Sequence, residues 1–201
     1  MLLKQPEETK LDPRIKRTRH LLQQALMELM GEKSFQAITI QDIADRATVN
    51  RATFYAHFED KEALLEHTIR DGIKQRLHSR LPEDSQFNQE NLAQLILTVC
   101  EFLAEMGHCP PPHRQFEPLM EKQVKGELYE ILQVWLRKMP TGKSNHRTPP
   151  ELAAMVTSWA IYGAAAQWSQ QAQREPAGEF VQQVLPLILA GLQTSATLSK
   201  S

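Results

Sequence analysis

Apolar residues recur every three or four positions over most of the chain, and no segment shows the alternation typical of a strand. A first helix is predicted from Asp12-Pro13 to about Gly31, since aspartate is a good N-cap and proline suits the first helical position. Further helices are predicted to begin at Asp60, Asn88, Pro118, Thr148 and Pro176, the fourth of these through a capping box in Thr148-Pro149-Pro150-Glu151. The pattern predicts an all-α protein.

Two short helices are predicted within Thr39–Phe58, TIQDIADRATVNRATFYAHF. Thr39 can cap the first helix with Asp42 three residues on, while Ile38 and Ile43 can close as a hydrophobic staple. The pattern breaks at Thr48-Val49-Asn50 and restarts at once, with Asn50 as the second cap. Two short helices joined by a tight turn form a helix-turn-helix.

The second short helix should bury Phe54 and Phe58, which lie one turn apart. Arg51 falls in the first turn, from which a recognition helix reaches base edges, and arginine can donate two hydrogen bonds to guanine. The remaining predicted DNA contacts within this stretch and just after it are Thr39, Asn50, Ala52, Thr53, Tyr55, His57 and Lys61, of which Tyr55, His57 and Lys61 carry donors that suit phosphate contacts.

The run Ile40–Leu65, IQDIADRATVNRATFYAHFEDKEALL, closely resembles the tetracycline-repressor-like (TetR/AcrR) family of bacterial transcription regulators. The family's residues stand in their places at Phe54, Tyr55, His57, Phe58 and Lys61, whereas Ala52 replaces a common glycine and Asn50 a common serine or glycine. The resemblance implies operator binding through Thr39 to Lys61. It also implies phosphate or minor-groove contacts from Arg14 and Arg17, for which a solvated charged face is an equal alternative.

The resemblance and the helical pattern together predict an all-α fold, with a three-helix head joined by a linking helix to a ligand-binding and dimerisation body. The predicted boundaries are 12–60 for the head, 61–82 for the connecting helix and 83–195 for the body. Residues 1–11 lack periodicity and are predicted to be a disordered arm. Pro186 should kink the last helix because it removes an amide donor.

Aromatic and methionine residues are frequent in the predicted body, and such side chains line apolar ligand cavities as well as ordinary cores. The resembled family commonly encloses an effector cavity in this region. The candidate pocket residues, each of which also suits plain core packing, are Phe102, Met106, Phe116, Met120, Trp135, Trp159 and Tyr162.

A homodimer is predicted because one helix-turn-helix makes few contacts, whereas a two-fold dimer reads two half-sites. The last two helices usually form the dimer in the resembled family, and their small and apolar residues fit that role. The predicted interface consists of Ala160, Gly163, Ala164, Val184, Leu187, Ile188 and Gly191, with packing inside one chain as the alternative.

The formal net charge of −1 excludes a globally basic nucleic-acid binder but not a locally positive reading head. No run approaches transmembrane length, and Cys100 and Cys109 without a signal peptide fit the cytoplasm. Cys109 with His108 and His113 matches no standard zinc spacing, so neither a metal nor another cofactor is predicted. A sensing role for Cys109 with these histidines stays open.

The sequence contains no GxSxG, no HExxH and no nucleotide-binding glycine loop, so an enzyme is not expected. The predicted function is a homodimeric regulator, usually a repressor, that leaves a palindromic operator when a small hydrophobic effector binds. Two other classes stay open: a helical scaffold protein that keeps the head but is regulated by a protein partner, and a helical enzyme with an unrecognised site. Salt-dependent binding to one DNA sequence would separate the regulator from both.

Overall fold

The computed structural model describes residues 12–82, 84–107, 116–139 and 148–194, and all regular elements within these ranges are helical. The helices are α1 (Pro13–Glu32), a short 3-10 helix (Phe35–Ala37), α2 (Ile40–Arg46), α3 (Arg51–Tyr55), α4 (Lys61–Arg80), α5 (Gln89–Gly107), α6 (Glu117–Lys138), α7 (Pro150–Ser169) and α8 (Ala177–Thr194). The all-α prediction is confirmed.

The predicted caps of α1, α4 and α5 are present. The Asp12 carboxylate accepts from the Arg14 amide at 2.8 Å. The Asp60 carboxylate accepts from the Ala63 amide at 2.6 Å, and the Asn88 side-chain oxygen from the Asn91 amide at 2.7 Å. These bonds satisfy amides that a helix N-terminus leaves without intrahelical partners, so the sequence sets the helix starts locally.

The predicted capping box at the start of α7 is wrong, although the helix begins where expected. Pro149 occupies the N-cap without a side-chain cap bond, and α7 starts at Pro150. Thr148 therefore lies one residue before the N-cap position. The Glu151 carboxylate instead forms a 2.8 Å ion pair with Arg137 of α6.

The chain divides into two compact units between Thr68 and Ile69, inside α4. In the first unit α2 packs on α1 and α3 packs on α2. Its core contains fully buried side chains from α1, α2, α3 and the first part of α4, among them Leu22, Leu26, Ile43, Phe54 and Leu64. The predicted boundaries, which treat α4 as a separate connecting helix, stay a prediction.

In the second unit α7 contacts α5, α6 and α8, and α8 also packs on α5. Fully buried residues from these helices include Leu92, Ile96, Leu128, Ile161 and Ala165. Two ion pairs join α4 to α5: Arg76 with Glu105, and Arg80 with Glu101. Pro186 lies inside α8, and the kink expected there stays a prediction.

Several predictions concern residues outside the described ranges, namely the arm 1–11 and the trio His108, Cys109 and His113. Cys100 is fully buried in α5, and burial raises the pKa of its thiol to about 12. It therefore packs as a small apolar residue, as expected. Among the described helices, none combines the length and apolar character needed to cross a bilayer.

Candidate nucleic-acid interface

Helix α2 begins in a complete capping box. The Thr39 hydroxyl accepts from the Asp42 amide at 3.1 Å, and the Asp42 carboxylate accepts from the Thr39 amide at 2.7 Å. Lys33 forms a 2.9 Å ion pair with the same carboxylate. The Lys33 ammonium and then the Thr39 donors hold the pKa of Asp42 well below its usual range. The start of α2 is thus fixed from α1 and from its own cap.

Arg46 ties the other end of α2 to α1. Its guanidinium donates two parallel hydrogen bonds of 2.9 Å to the Glu32 carboxylate and a third of 3.3 Å to Glu28. Two-pronged pairing restricts orientation more than a single contact does. With Lys33 and Asp42, this arrangement fixes α2 on α1 at both ends.

The turn between α2 and α3 passes through a left-handed residue, Thr48, at φ 56°. The Thr48 amide donates to the Asp45 carbonyl at 3.1 Å, and the Val49 amide donates to the Ala44 carbonyl at 2.9 Å. A β-branched residue rarely adopts this backbone conformation. The tight turn that the two short helices require is therefore built with local strain.

Helix α3 presents one face outward because the other is anchored in the core. Phe54 is fully buried, and the Asn50 side-chain oxygen caps the helix by accepting from the Thr53 amide at 2.7 Å. Arg51, Ala52 and Tyr55 are exposed, with Tyr55 at 47%. An anchored helix with an exposed arginine in its first turn has the form of a recognition helix.

Asn50 and Thr39 use their side chains as caps, so their predicted DNA contacts would compete with capping. The Thr39 hydroxyl also donates to Asp42 at 2.7 Å, and the Thr53 hydroxyl donates to Asn50 at 2.9 Å. Thr53 is half-buried. Arg14 and Arg17 lie exposed on the first turns of α1, where the prediction of phosphate contacts remains open.

His57 lies half-buried after α3, beside a residue that the prediction omitted. Arg19 of α1 sits over the Phe58 ring, with 5.8 Å from Cζ to the centroid, and its Nε is buried without a hydrogen-bond partner. Burial first, and then the Arg19 charge, lower the pKa of His57. Arg19 lies four residues after Ile15 on α1, so helical spacing places both side chains on the same face. This spacing is the feature of the sequence that indicates the position of Arg19.

The structure assigns Lys61 a role different from the predicted phosphate contact. Its ammonium donates to the carbonyl oxygens of Phe35 at 2.8 Å, Ile38 at 2.8 Å and Gln36 at 3.3 Å. It also lies 4.6 Å from the centroid of the Phe35 ring. An ammonium has three donors, and all three are used within the protein. Lys61 therefore joins the start of α4 to the connection that precedes α2.

The predicted effector-pocket residues separate into three groups. Phe102 and Trp135 are core residues, 4% and 2% exposed. Trp159, contrary to the pocket interpretation, points outward at 59% exposure, with the Lys125 ammonium 4.5 Å from its centroid, because the opposite face of α7 forms the buried contacts. The half-buried group comprises Met106, Phe116, Met120 and Tyr162.

Tyr162 is the one polar group among these half-buried side chains. Burial raises the pKa of its phenol to about 12, and the nearby carboxylates of Glu121 and Glu117 act in the same direction. A phenol is protonated at neutral pH with or without this shift, so the Tyr162 hydroxyl can donate a hydrogen bond there.

The predicted dimer residues also divide by exposure. Ala160, Gly163, Leu187 and Gly191 are exposed, and Leu187 reaches 74%. Ala164 and Val184 are half-buried, whereas Ile188 is buried within its own chain and is not free to meet a partner. The prediction missed three exposed apolar residues of α7 on the Trp159 face, which repeat at helical spacing: Leu152, Met155 and Val156.

Two short capped helices with an outward arginine define a helix-turn-helix regulator, and comparison with known proteins identifies which kind. Residues 22–68 match the family model described as "Bacterial regulatory proteins, tetR family". The regulator YdeS of Bacillus subtilis (strain 168) is 30% identical over 148 residues, covering 61% of this chain and 73% of that protein. The chain belongs to the TetR family of transcription regulators and is not an enzyme.

Two further relatives are HTH-type regulators. YxbF of Bacillus subtilis (strain 168) is 32% identical over 108 residues, 53% of this chain, and the matched part spans only 28% of that relative's length. The repressor DhaR of Mycobacterium sp. (strain GP1) is 25% identical over 185 residues, covering 85% of this chain and 91% of that protein.

Solved structures share the fold over nearly the whole chain. The dihydroxyacetone kinase operon activator DhaS superposes with a TM-score of 0.62 at 18% identity, covering 88% of this chain and 97% of that one. FadR from Bacillus subtilis, solved with stearoyl-CoA, gives a TM-score of 0.56 at 20% identity, with 86% and 98% coverage. The all-helical architecture with an N-terminal helix-turn-helix is therefore common to all three.

Proposed function

We propose that this regulator is a homodimeric repressor that binds a palindromic operator in the cytoplasm and leaves it when a small molecule occupies the body. The observation that carries the proposal is the exposed face of α3, where Arg51, Ala52 and Tyr55 face outward from an anchored helix. Small Ala52 allows close approach to the groove, and Arg51 has the reach and donors to read guanine.

Phosphate contacts are assigned to side chains around this face. Arg14 and Arg17 are exposed cations on α1, and His57 stands half-buried beyond α3. Burial and the Arg19 charge lower the pKa of His57, which favours the neutral imidazole in the free protein, and its ring N–H would donate to a phosphate. Thr39 and Thr53 would not bind phosphate but would make apolar contact with thymine through their methyl groups, while their hydroxyls stay in the caps.

The outward face of α7 and α8 supports a dimer of two copies of this chain. On α7 the side chains of Val156 and Trp159 are 57% and 59% exposed, and on α8 Leu187 is 74% exposed. Gly163 lies on the same face, and a Cβ there would meet nothing within 4 Å. Mid-helix glycine costs roughly 1 kcal/mol relative to alanine. Packing within the chain does not require a glycine at this position, whereas close approach by a helix of a second copy would.

Repression and effector release are proposed from the half-buried group in the body. Met106 lies in the last turn of α5 and Phe116 precedes α6, while Met120 and Tyr162 lie half-buried on α6 and α7. A protonated phenol within an apolar lining suits an amphipathic ligand. DhaR is named a repressor, which supports repression rather than activation. FadR was solved with stearoyl-CoA, which supports an amphipathic ligand.

The test of the proposal is selection of duplexes from a fragmented genome or a random pool by the full-length protein. We expect enrichment of one palindrome, whose half-sites lie about 34–36 Å apart or a multiple of that distance. A compound that raises the melting temperature of the free protein should lower its affinity for this palindrome, since only a ligand that prefers the non-binding state releases DNA. Recovery of no preferred sequence would refute the regulator's proposed mode of action and favour a protein-binding role.

A further inference from the structure

Arg51 and Tyr55 are paired on the exposed face of α3. The Arg51 Nη2 donates a 3.1 Å hydrogen bond to the Tyr55 hydroxyl oxygen. The Arg51 Cζ also lies 5.5 Å from the centroid of the Tyr55 ring. The two residues are four positions apart on the helix, the spacing at which side chains lie on the same face.

The Tyr55 ring is itself held in place by the core. It packs edge-on against Phe54, with centroids 5.7 Å apart and planes at 85°. Phe54 is fully buried and also packs against Phe58 at 6.1 Å. A guanidinium resting on this ring therefore rests on a fixed surface, although its own side chain is long and exposed.

An arginine that reads a base gives up rotamer freedom on binding, and a contact that already restricts it reduces that cost. The bond to Tyr55 uses a lone pair of the phenol oxygen and leaves the phenol proton free for another acceptor. Only part of the five-donor guanidinium is engaged, so donors remain for a base edge.

We infer that Tyr55 is a positioning residue for sequence reading: it acts through Arg51, whose guanidinium it orients, and thereby sets base preference at the position that Arg51 reads. This inference rests on the proposed function, because it presupposes that Arg51 reads a base. The alternative is that Tyr55 contacts DNA by itself, and the two roles have different thermodynamic signatures.

The experiment is a double-mutant cycle on the palindrome selected by the wild-type protein. The variants are Arg51→Ala, Tyr55→Phe, Tyr55→Leu and Arg51→Ala/Tyr55→Leu. Each is titrated against the selected duplex and against duplexes with one base pair changed at each half-site position. Tyr129→Phe on α6 is the matched control, since Tyr129 likewise accepts from a residue four positions away, Gln133, at 2.6 Å.

Arg51→Ala should abolish discrimination at one half-site position. Tyr55→Leu should reduce discrimination at that same position roughly two- to ten-fold, the range expected when one side chain loses preorganisation. Tyr55→Phe keeps the ring but loses the hydroxyl, so its discrimination at that position should lie between those of Tyr55→Leu and the wild type. In the Arg51→Ala background, Tyr55→Leu should change discrimination no further, because the residue acts through the arginine.

Two results would overturn the inference and leave the proposed function standing. One is an equal effect of Tyr55→Leu in the wild-type and Arg51→Ala backgrounds. The other is that Tyr55→Leu alone does not change discrimination at the base position that Arg51 reads. A wild-type protein that selects no sequence would refute both. Tyr129→Phe should leave every base preference unchanged, and melting curves of all variants exclude loss of the fold as the cause.

Discussion

At the residue scale, three cations of the head use their charge in different ways. Arg46 forms two parallel hydrogen bonds with the Glu32 carboxylate. The Lys61 ammonium donates to three carbonyl oxygens and has no donor left. Arg51 donates one hydrogen bond to the exposed Tyr55, and its other guanidinium donors remain available. Of the three, Arg51 is the one free to meet a nucleic acid. A count of basic residues in the sequence does not reveal this, because the acceptors of Lys61 lie 23 to 26 residues upstream.

Lys61→Met tests this difference. The variant keeps the aliphatic stem but removes the three hydrogen bonds, so the free energy of unfolding should fall by about 1–3 kcal/mol. The slope of log affinity against log salt concentration should not change, since the three carbonyl oxygens that accept from the Lys61 ammonium leave it no donor for a phosphate. Denaturant melts and DNA titrations at several salt concentrations measure the two quantities.

Arg17→Met is the comparison for Lys61→Met, because Arg17 is an exposed cation proposed to meet a phosphate. It should leave stability nearly unchanged and flatten the salt slope by about one unit for each phosphate that the arginine neutralises. A flattened slope for Lys61→Met with unaltered stability would contradict the assignment of its ammonium to the protein.

At the element scale, α2, α3 and α4 owe their starts to local chemistry, which is why the sequence predicts them. Thr39, Asn50 and Asp60 cap where expected, and the Ile38–Ile43 staple is buried at both residues. The predictions that failed depend on contacts between residues far apart in the sequence. The capping box predicted at Thr148 does not form because the N-cap falls one residue later, at Pro149, and the outward orientation of Trp159 depends on which face of α7 packs on three other helices.

Thr48→Gly should stabilise the head. Thr48 adopts φ 56°, and the left-handed conformation costs an L-residue roughly 1–2 kcal/mol that glycine avoids. Part of the gain is offset by the larger entropy of glycine in the unfolded chain, so the expected increase in stability is about 1 kcal/mol. Thr48→Asn, which tolerates this conformation, should give a smaller increase. A decrease in melting temperature for both variants would show that the turn carries no strain.

Asp42 links the start of α2 to pH. Because Lys33 and Thr39 lower the folded-state pKa of Asp42, its contribution to stability is full above the unfolded pKa of about 3.9 and is lost as the pH falls from there through the folded-state pKa. The stability difference between wild type and Asp42→Asn should therefore shrink on acidification from about pH 5 to pH 2. The exposed Glu59→Gln is the control. A pH-independent difference would mean that the charge of Asp42 contributes nothing.

At the scale of the whole molecule, the sequence predicts the helical class and the family but not the surfaces that meet partners. Helical spacing places Gly163 and Leu187 correctly outside, yet it also assigns Ile188 to the interface, although that side chain is buried in its own chain. Periodicity identifies an apolar face, whereas only the packed structure shows which of two apolar faces is covered.

Val156→Glu combined with Leu187→Glu tests the proposed dimer. Both side chains are more than half exposed in the single chain, so the charges should not disturb the protomer fold. Two copies would bury four carboxylates without partners, which is strongly unfavourable, so the variant should sediment as a monomer. The exposed Gln75→Glu on α4 should remain dimeric. A wild-type monomer at micromolar concentration, or a variant that stays dimeric, would contradict the proposed interface.

We propose above that this chain reads DNA sequence through α3. The experiment that tests this proposal is titration of wild type and Arg51→Ala on the selected palindrome and on a scrambled duplex. The wild type should prefer the palindrome by about 10³-fold or more at physiological salt. Arg51→Ala should lose about 1–3 kcal/mol of discrimination per half-site while it still binds both duplexes in a salt-dependent manner. Equal affinity of the wild type for both duplexes, or a preference that survives Arg51→Ala intact, would contradict the claim.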